Sequence, residues 1–397
     1  MLVTLDSITT KITKGTTPTS VGCTFENSGV NFIKSESLGN SRNIDRSKFA
    51  FISEQTHEKL KRSQIEKNDI LFSMAGMFLG KTGIVTDDLV PANTNQAVAI
   101  IRIDTEKANH EYVYYYLNQR SVVQAVNASS AQSAQPNINL KQIGQIEIDL
   151  PERKLQDKNV SILSAIDFKI EKNNQINENL EQQAQSYFQE LFVDNADPEW
   201  TTGTISDLGI VVGGSTPSKA KPEYYTETGI AWITPKDLSI NKSKFVFHGE
   251  NDITELGLKN SSAVIMPEGT VLFSSRAPIG YIAIATDEVT TNQGFKSVVP
   301  KQEIGTPFVY FFLKNTLPVI EGMASGSTFK EVSGSTMKKV PAVIPDAETL
   351  AKFNNFCAPI FAEQRILEEQ NQSLAILRDN LLPKLMSGEI DVSDVQL

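Results

Sequence analysis

Lys14-Gly-Thr-Thr-Pro-Thr19 returns in the second half of the chain as Gly213-Gly-Ser-Thr-Pro-Ser218. Around it, further pairs return in the same order. Gly29-Val-Asn-Phe-Ile33 and Leu38 match Gly229-Ile-Ala-Trp-Ile233 and Leu238. Asp69-Ile-Leu-Phe-Ser73 matches Thr270-Val-Leu-Phe-Ser274, and Thr94-Asn-Gln96 matches Thr291-Asn-Gln293. Glu111-Tyr-Val-Tyr-Tyr-Tyr-Leu117 matches Pro307-Phe-Val-Tyr-Phe-Phe-Leu313, and Ile148-Asp-Leu-Pro151 matches Ala342-Val-Ile-Pro345. One such match is chance; a collinear series is a diverged tandem duplication, so each half holds one copy of the same fold.

Each copy reads as mixed α+β. Short apolar runs such as Ile70-Leu-Phe72, Val98-Ala-Ile-Ile101 and Val271-Leu-Phe273 are bounded by Gly, Asn, Asp and Pro, the pattern of strands between turns. The clearest helices within the copies are 112–125 and its counterpart 308–321. Each copy then ends in a strand, a proline and a long helix. The expected organisation is a first domain over 1–150, a long helix and linker over 151–199, a second domain over 200–346, and a second long helix with a tail over 347–397.

From Val160 to Phe192 there is neither Gly nor Pro. Leu163, Ile166, Ile170, Asn173, Asn177, Leu180, Ala184, Tyr187 and Leu191 follow one another in alternating steps of three and four, a heptad seam. The second copy gives Cys357, Ile360, Gln364, Leu367, Asn371, Leu374, Arg378, Leu381 and Leu385. Asn177 maps onto Asn371, and a buried Asn pair can fix register. Pro359 is expected in the first turn of the second helix, where proline is tolerated. Two such helices following two copies of one domain are expected to pair with each other, antiparallel, as an intramolecular coiled coil between pseudo-twofold-related domains. The alternative is an ordinary core or homodimeric coiled coil. A helix of about 30 residues spans roughly 45 Å, the scale of one turn of DNA.

Composition fits a globular protein, with 40% hydrophobic and 21% charged residues. No apolar run is long enough to cross a bilayer, and the N-terminus lacks the pattern of a signal peptide. The two cysteines, Cys23 and Cys357, exclude a disulfide framework, so a cytoplasmic location is expected. The net charge of −10 looks wrong for a nucleic-acid binder. Split by segment, however, 1–150 is neutral and 200–346 carries −1, while 151–199 carries −5 and 347–397 carries −4. The acidic excess sits with the helices, and a neutral domain can still present a basic face.

Catalytic motifs are not found. There is no Gly-x-Gly-x-x-Gly and no Asn/Asp-Pro-Pro-Tyr-like segment of an adenine methyltransferase; Asp197-Pro-Glu-Trp200 is not one. Gly80-Lys-Thr82 resembles the end of a phosphate-binding loop, but Ala75 stands where that loop needs glycine, and Gly83-Ile-Val-Thr86 reads as strand. His57, His110 and His248 are scattered, without metal-ligand spacing.

Together these features resemble the specificity subunits of type I restriction–modification systems, over essentially the whole chain. The carriers are the C-terminal Leu381-Leu-Pro-Lys-Leu-Met-Ser-Gly-Glu-Ile390, Gly15–Pro18 and Gly214–Pro217, the Leu-Pro and Ile-Pro steps before each helix, and Gln182-Gln-Ala-Gln-Ser-Tyr-Phe188. The resemblance implies a non-catalytic DNA-recognition protein. Each domain would read one half of a bipartite double-stranded DNA site. The helices would set the spacer and dock two methyltransferase subunits, and motor-nuclease subunits would join them. S-adenosylmethionine, ATP and Mg would belong to those partners, with no cofactor or metal on this chain. The alternative is a DNA-recognition adaptor of another phage-defence complex.

Base readout needs Arg, Lys, Asn or Gln on loops, and phosphate contacts need Lys, Arg, Ser or Thr. Arg276, at the start of the Gly/Pro-bearing loop Arg276–Gly280, is the leading candidate, against a surface ion pair. Lys81 lies in the corresponding loop of the first copy. Lys34 and Lys236 follow strands and are candidates for phosphate contact. Gln132, Gln135 and Lys330 lie in the loops before each last strand. Asn95, Gln96, Asn292 and Gln293 suit adenine readout, but their recurrence in both copies favours a shared turn. The aromatics at 112–116 and 308–312 are expected to pack in the domain cores.

Overall fold

The computed structural model describes residues 1–39, 42–130, 137–326 and 330–395. It divides into two compact units. The first comprises Met1–Ile170 with the chain from Ser373, and the second is Glu171–Gln372.

In the first unit an antiparallel sheet runs, in spatial order, Thr9–Lys14, Val98–Ile103, Ile70–Ser73 and Thr82–Ile84. A second sheet runs Ala50–Ile52, Val30–Ile33, Ala92–Thr94 and Gln64–Ile65, and its central pair is parallel. Leu2–Thr4 pairs antiparallel with Glu147–Asp149, tying the start of the domain to its end. Both central strands of the first sheet are buried on both faces, which is why they read as continuous apolar runs rather than alternating ones.

The second unit repeats the central strand order of both sheets and differs at their edges, where Tyr225–Thr226 joins the second sheet and, among the described residues, no strand matches Gln64–Ile65. Gly209–Gly213, Lys296–Pro300, Val271–Ser275 and Ile279–Ala285 form the antiparallel sheet, extended by Phe245–Val246. Ile230–Ile233 lies parallel to Thr290–Thr291, as Val30–Ile33 does to Ala92–Thr94. Thr201–Thr204 pairs with Pro341–Ile344 to close the domain. The duplication legible in the sequence is therefore a duplication of topology.

The helices differ from expectation in two places. The expected helix over 112–125 is two helices, His110–Leu117 and Arg120–Ser130. Asn118 ends the first, its amide donating to the Tyr114 carbonyl (2.7 Å) and the Thr82 hydroxyl (2.6 Å). Its counterpart, Thr306–Gly322, runs unbroken through Pro318. The second long helix, Ala347–Met386, starts at the expected boundary but well before Pro359, because Asp346 caps it by accepting from the Thr349 amide at 2.8 Å. Pro359 therefore lies in the helix interior, on the exposed face.

The first long helix spans Arg153–Gln189 and ends in a π-helical turn, Glu190–Asp194. Within each unit the two long helices pair antiparallel. In the first, Asn159 donates to the Leu385 carbonyl (3.0 Å) and Asp167 accepts from Arg378 (2.9 Å). In the second, Asn173 donates to Asn371 (2.9 Å), and Tyr187 stacks near Phe353 and Phe356. Asn371 in turn donates to Asn174 at 2.8 Å. The asparagine contact is thus 173/174 with 371, not 177 with 371, because the antiparallel register sets Asn177 and Asn371 out of step with each other. Asn177 instead accepts from Gln364 through its carbonyl at 3.1 Å. Leu163, Ile166, Ile360, Leu367 and Leu385 are buried, while Ile170, Leu180, Tyr187, Leu191, Leu374 and Leu381 are half-buried.

Candidate nucleic-acid interface

The Gly-x-Thr-Pro and Thr-Asn-Gln motifs are one structural device, present in each domain. The first lies across the second so closely that glycine is required. A Cβ on Gly15 would stand 2.0 Å from the Thr94 carbonyl oxygen, and one on Gly214 would stand 1.9 Å from that of Asn292. The Thr16 amide donates to Thr94 (2.9 Å) and the Ser215 amide to Thr291 (2.8 Å). Asn95 and Asn292 close Asx turns, accepting from the amides of Ala97 (3.1 Å) and Gly294 (2.8 Å). The Thr17 hydroxyl donates to the Gln96 side-chain carbonyl, and Thr216 does the same to Gln293. Both asparagines thus have structural work, while both glutamines remain exposed.

In the second domain this device adjoins a basic cluster. Lys236 and Gln293 line one cleft of about 380 Å³, together with Thr216, Lys219, Trp232 and Asn292. Lys236 is exposed and paired with Glu250 at 2.5 Å, which raises its pKa. Lys296 donates to the Gln293 carbonyl (3.1 Å) and lies 3.8 Å from Glu331. Arg276 reaches the other oxygen of Glu331 at 3.4 Å, and the two residues also form a β-bridge. Lys330 is exposed beside that bridge. The structure thus gathers Arg276, Lys330 and Gln293 into one surface. Lys296 and Glu331, which sequence reasoning missed, link them. Burial, aided by Arg276, lowers the Lys296 pKa despite Glu331.

The first domain is built alike but charged differently. Asn137 bridges Ala75, and the Ile138 amide donates to Met74 (2.9 Å) as the Val332 amide does to Ser275 (3.0 Å). Lys34 sits over the Phe25 ring (5.2 Å) and 3.9 Å from Glu36. Lys81 lies over Phe78 at 5.8 Å, at a cleft shared with Asn118, Arg120 and Arg378. Among the described residues no hydrogen bond, ion pair or cleft joins Lys34 to Lys81. Gln132 and Gln135 lie outside the described residues. Among the described residues no group of His, Cys, Asp and Glu could hold a metal ion, and no helix is long and apolar enough to cross a membrane.

The family model of the type I restriction–modification DNA specificity domain matches residues 1–182 and again 198–375. The chain belongs to this family. The specificity subunit of the type I restriction enzyme HindI from Haemophilus influenzae is 23% identical, over 83% of this chain and 88% of its own length. The MjaIX specificity subunit of Methanocaldococcus jannaschii is 41% identical over a shorter stretch, 42% of this chain and 38% of the relative. The type I restriction–modification S subunit from M. genitalium, solved by crystallography, shares the fold with a TM-score of 0.57 at 17% identity, over 97% of this chain and 95% of that one.

As a member of this family with two copies of the domain, the chain seats each copy on the paired helices through a polar joint, and neither joint was legible in the sequence. In the first unit Asp167 accepts from Arg378 (2.9 Å) and from the Tyr115 hydroxyl (2.7 Å). Burial and that carboxylate push the Tyr115 hydroxyl well up. In the second, Lys244 is buried against four aromatic rings, the nearest being Phe361 at 3.5 Å. It donates to Glu181 (2.8 Å) and Gln364 (2.9 Å). Burial draws the Lys244 ammonium down to about 8 against the pull of Glu181. Burial alone would raise Glu181, but Lys244 and Lys314 together hold it below the usual carboxylate range.

Proposed function

We infer that the chain is the non-catalytic DNA-recognition component of a type I restriction–modification enzyme, and that each domain reads one half of a bipartite double-stranded site. One observation carries this reading: a single fold occurs twice, with the same strand order and the same locked loop, while the loop side chains differ. A repeated scaffold with unlike loops suits two readers of unlike sequences. Arg276, Lys296 and Lys330 are the groups offered by the second domain, and Lys34 and Lys81 those offered by the first. The antiparallel helix pairs set the spacer between half-sites, and the same helices dock two methyltransferase subunits. Motor-nuclease subunits complete the nuclease. S-adenosylmethionine, ATP and Mg are bound by the partners, and the complex works in the cytoplasm.

The test is a genome-wide methylation map in a methylation-free host expressing the chain with the methyltransferase encoded beside it. A bipartite methylated motif that vanishes when this chain is omitted supports the reading. No motif from two soluble, associated proteins contradicts it.

A further inference from the structure

We propose that Gln96 and Gln293 hold DNA phosphates, as equivalent sequence-independent contacts in the two half-sites, and that the Gly-x-Thr-Pro loop exists to aim them. The inference rests on the DNA-reading role above and deepens it.

Bidentate readout of adenine requires a glutamine to offer its carbonyl and its amide side by side. Here the carbonyl is engaged in both copies, by Thr17 on Gln96 and by Thr216 on Gln293. One lone pair of each carbonyl is then taken and its orientation fixed, so the Nε2 donor pair is what the side chain chiefly presents, and donors suit an anionic oxygen. Both glutamines are exposed although the turns that carry them are anchored in buried strands. Thr94 is buried and its hydroxyl donates to the Ile33 carbonyl at 2.7 Å. The Asn292 amide donates to the Ile233 carbonyl at 3.0 Å.

The surroundings favour an anion in each domain. Lys296 donates to the Gln293 backbone carbonyl, and Lys219 and Lys236 share its cleft. In the first domain, Lys14 immediately precedes the loop glycine and is exposed. On the DNA, two domains that read different bases have the phosphate backbone in common. A feature kept identical in both, down to the hydrogen bond that sets the amide's orientation, matches that shared ligand. It also suits domains whose net charge is near zero, since a neutral donor grips phosphate without adding cations.

The experiment measures binding of the full chain, together with the methyltransferase it associates with, to two duplexes of equal length. One contains the mapped methylated site and the other a scrambled sequence. Gln96→Ala and Gln293→Ala should each weaken both duplexes by the same factor, about five- to tenfold. The methylated motif and the slope of affinity against salt should stay unchanged, because a neutral donor releases no counterion. Thr17→Val and Thr216→Val, which free the carbonyl and leave the glutamine in place, should show the same uniform loss in milder form. A loss confined to the cognate duplex, or an altered motif, would overturn the proposal in favour of base reading. No loss on either duplex would overturn it outright. Failure of the unaltered chain to bind either duplex would instead remove the DNA-reading role on which the proposal stands.

Discussion

The two joints between domain and helices make an instructive contrast. That of the first unit is spare: one carboxylate, Asp167, shared by Arg378 and Tyr115. That of the second is a buried network in which Lys244, Lys314 and Tyr310 converge on Glu181, while Glu368 accepts from the backbone amides of Lys244 and Phe245. The domains above them share strand order, the locked Gly-x-Thr-Pro loop and even the hydrogen bond that ties the last loop to the sheet. Duplication has preserved what each domain needs internally. It has not preserved the joints, because the two copies rest on different stretches of helix.

The largest test of that contrast is Glu181→Ala. It leaves Lys244 buried without its carboxylate and should cost about 3–5 kcal/mol in denaturant unfolding of the second unit. Arg378→Ala, at a joint whose pair keeps 20% and 13% of its side-chain exposure, should cost the first unit less, about 2 kcal/mol. An equal or larger loss at Arg378 would break the contrast.

Arg276→Ala moves the comparison to the loops. It should remove about 1–3 kcal/mol of base discrimination at the half-site of the second domain, leaving the other half-site as it was. A methylation motif unchanged in both halves would strike Arg276 from the readout. Lys244→Met keeps the aromatic cage filled and leaves Glu181 to Lys314 and Tyr310, so it should cost only about 1 kcal/mol. A cost rivalling that of Glu181→Ala would mean that the lysine, not the carboxylate, anchors the network.

The smallest effect is kinetic. Cys23 is half-buried, whereas Cys357 is fully buried beside the network, and burial pushes its thiol up to about 12. A thiol reagent should modify Cys23 in the native chain and Cys357 only when the second unit opens, faster in Glu181→Ala. Rapid native labelling of Cys357 would show that the joint is loose.

How much of this could be read beforehand follows from how each feature is written. The duplication, the α+β character and the helical seam were legible because they recur or repeat at a fixed period. Gly15 and Gly214 were visible as motif, though their purpose, a backbone crossing with no room for Cβ, was not. Pro359 was misplaced because the helix start depends on a single cap, Asp346, upstream of the periodic seam. Asn177 and Asn371 are equivalent in the repeat, but the register of the antiparallel pair sets Asn371 against Asn173 and Asn174 and sets Asn177 against Gln364. Lys244 stands in Asn241-Lys-Ser-Lys244, which looks like an ordinary solvated loop; only the fold brings Glu181 and four rings to it. Lys296 and Glu331 are likewise far apart in sequence and meet at Arg276 only through sheet pairing.

In the function proposed above, the paired helices space two copies of one reader. The most direct measurement inserts a matched heptad into both helices beside the Asn173–Asn371 contact, keeping the seam in phase, and maps methylation again. Both half-sites should stay unchanged and the spacer should lengthen by roughly three base pairs, since seven helical residues add about 10.5 Å. Altered half-sites with the original spacer would contradict it.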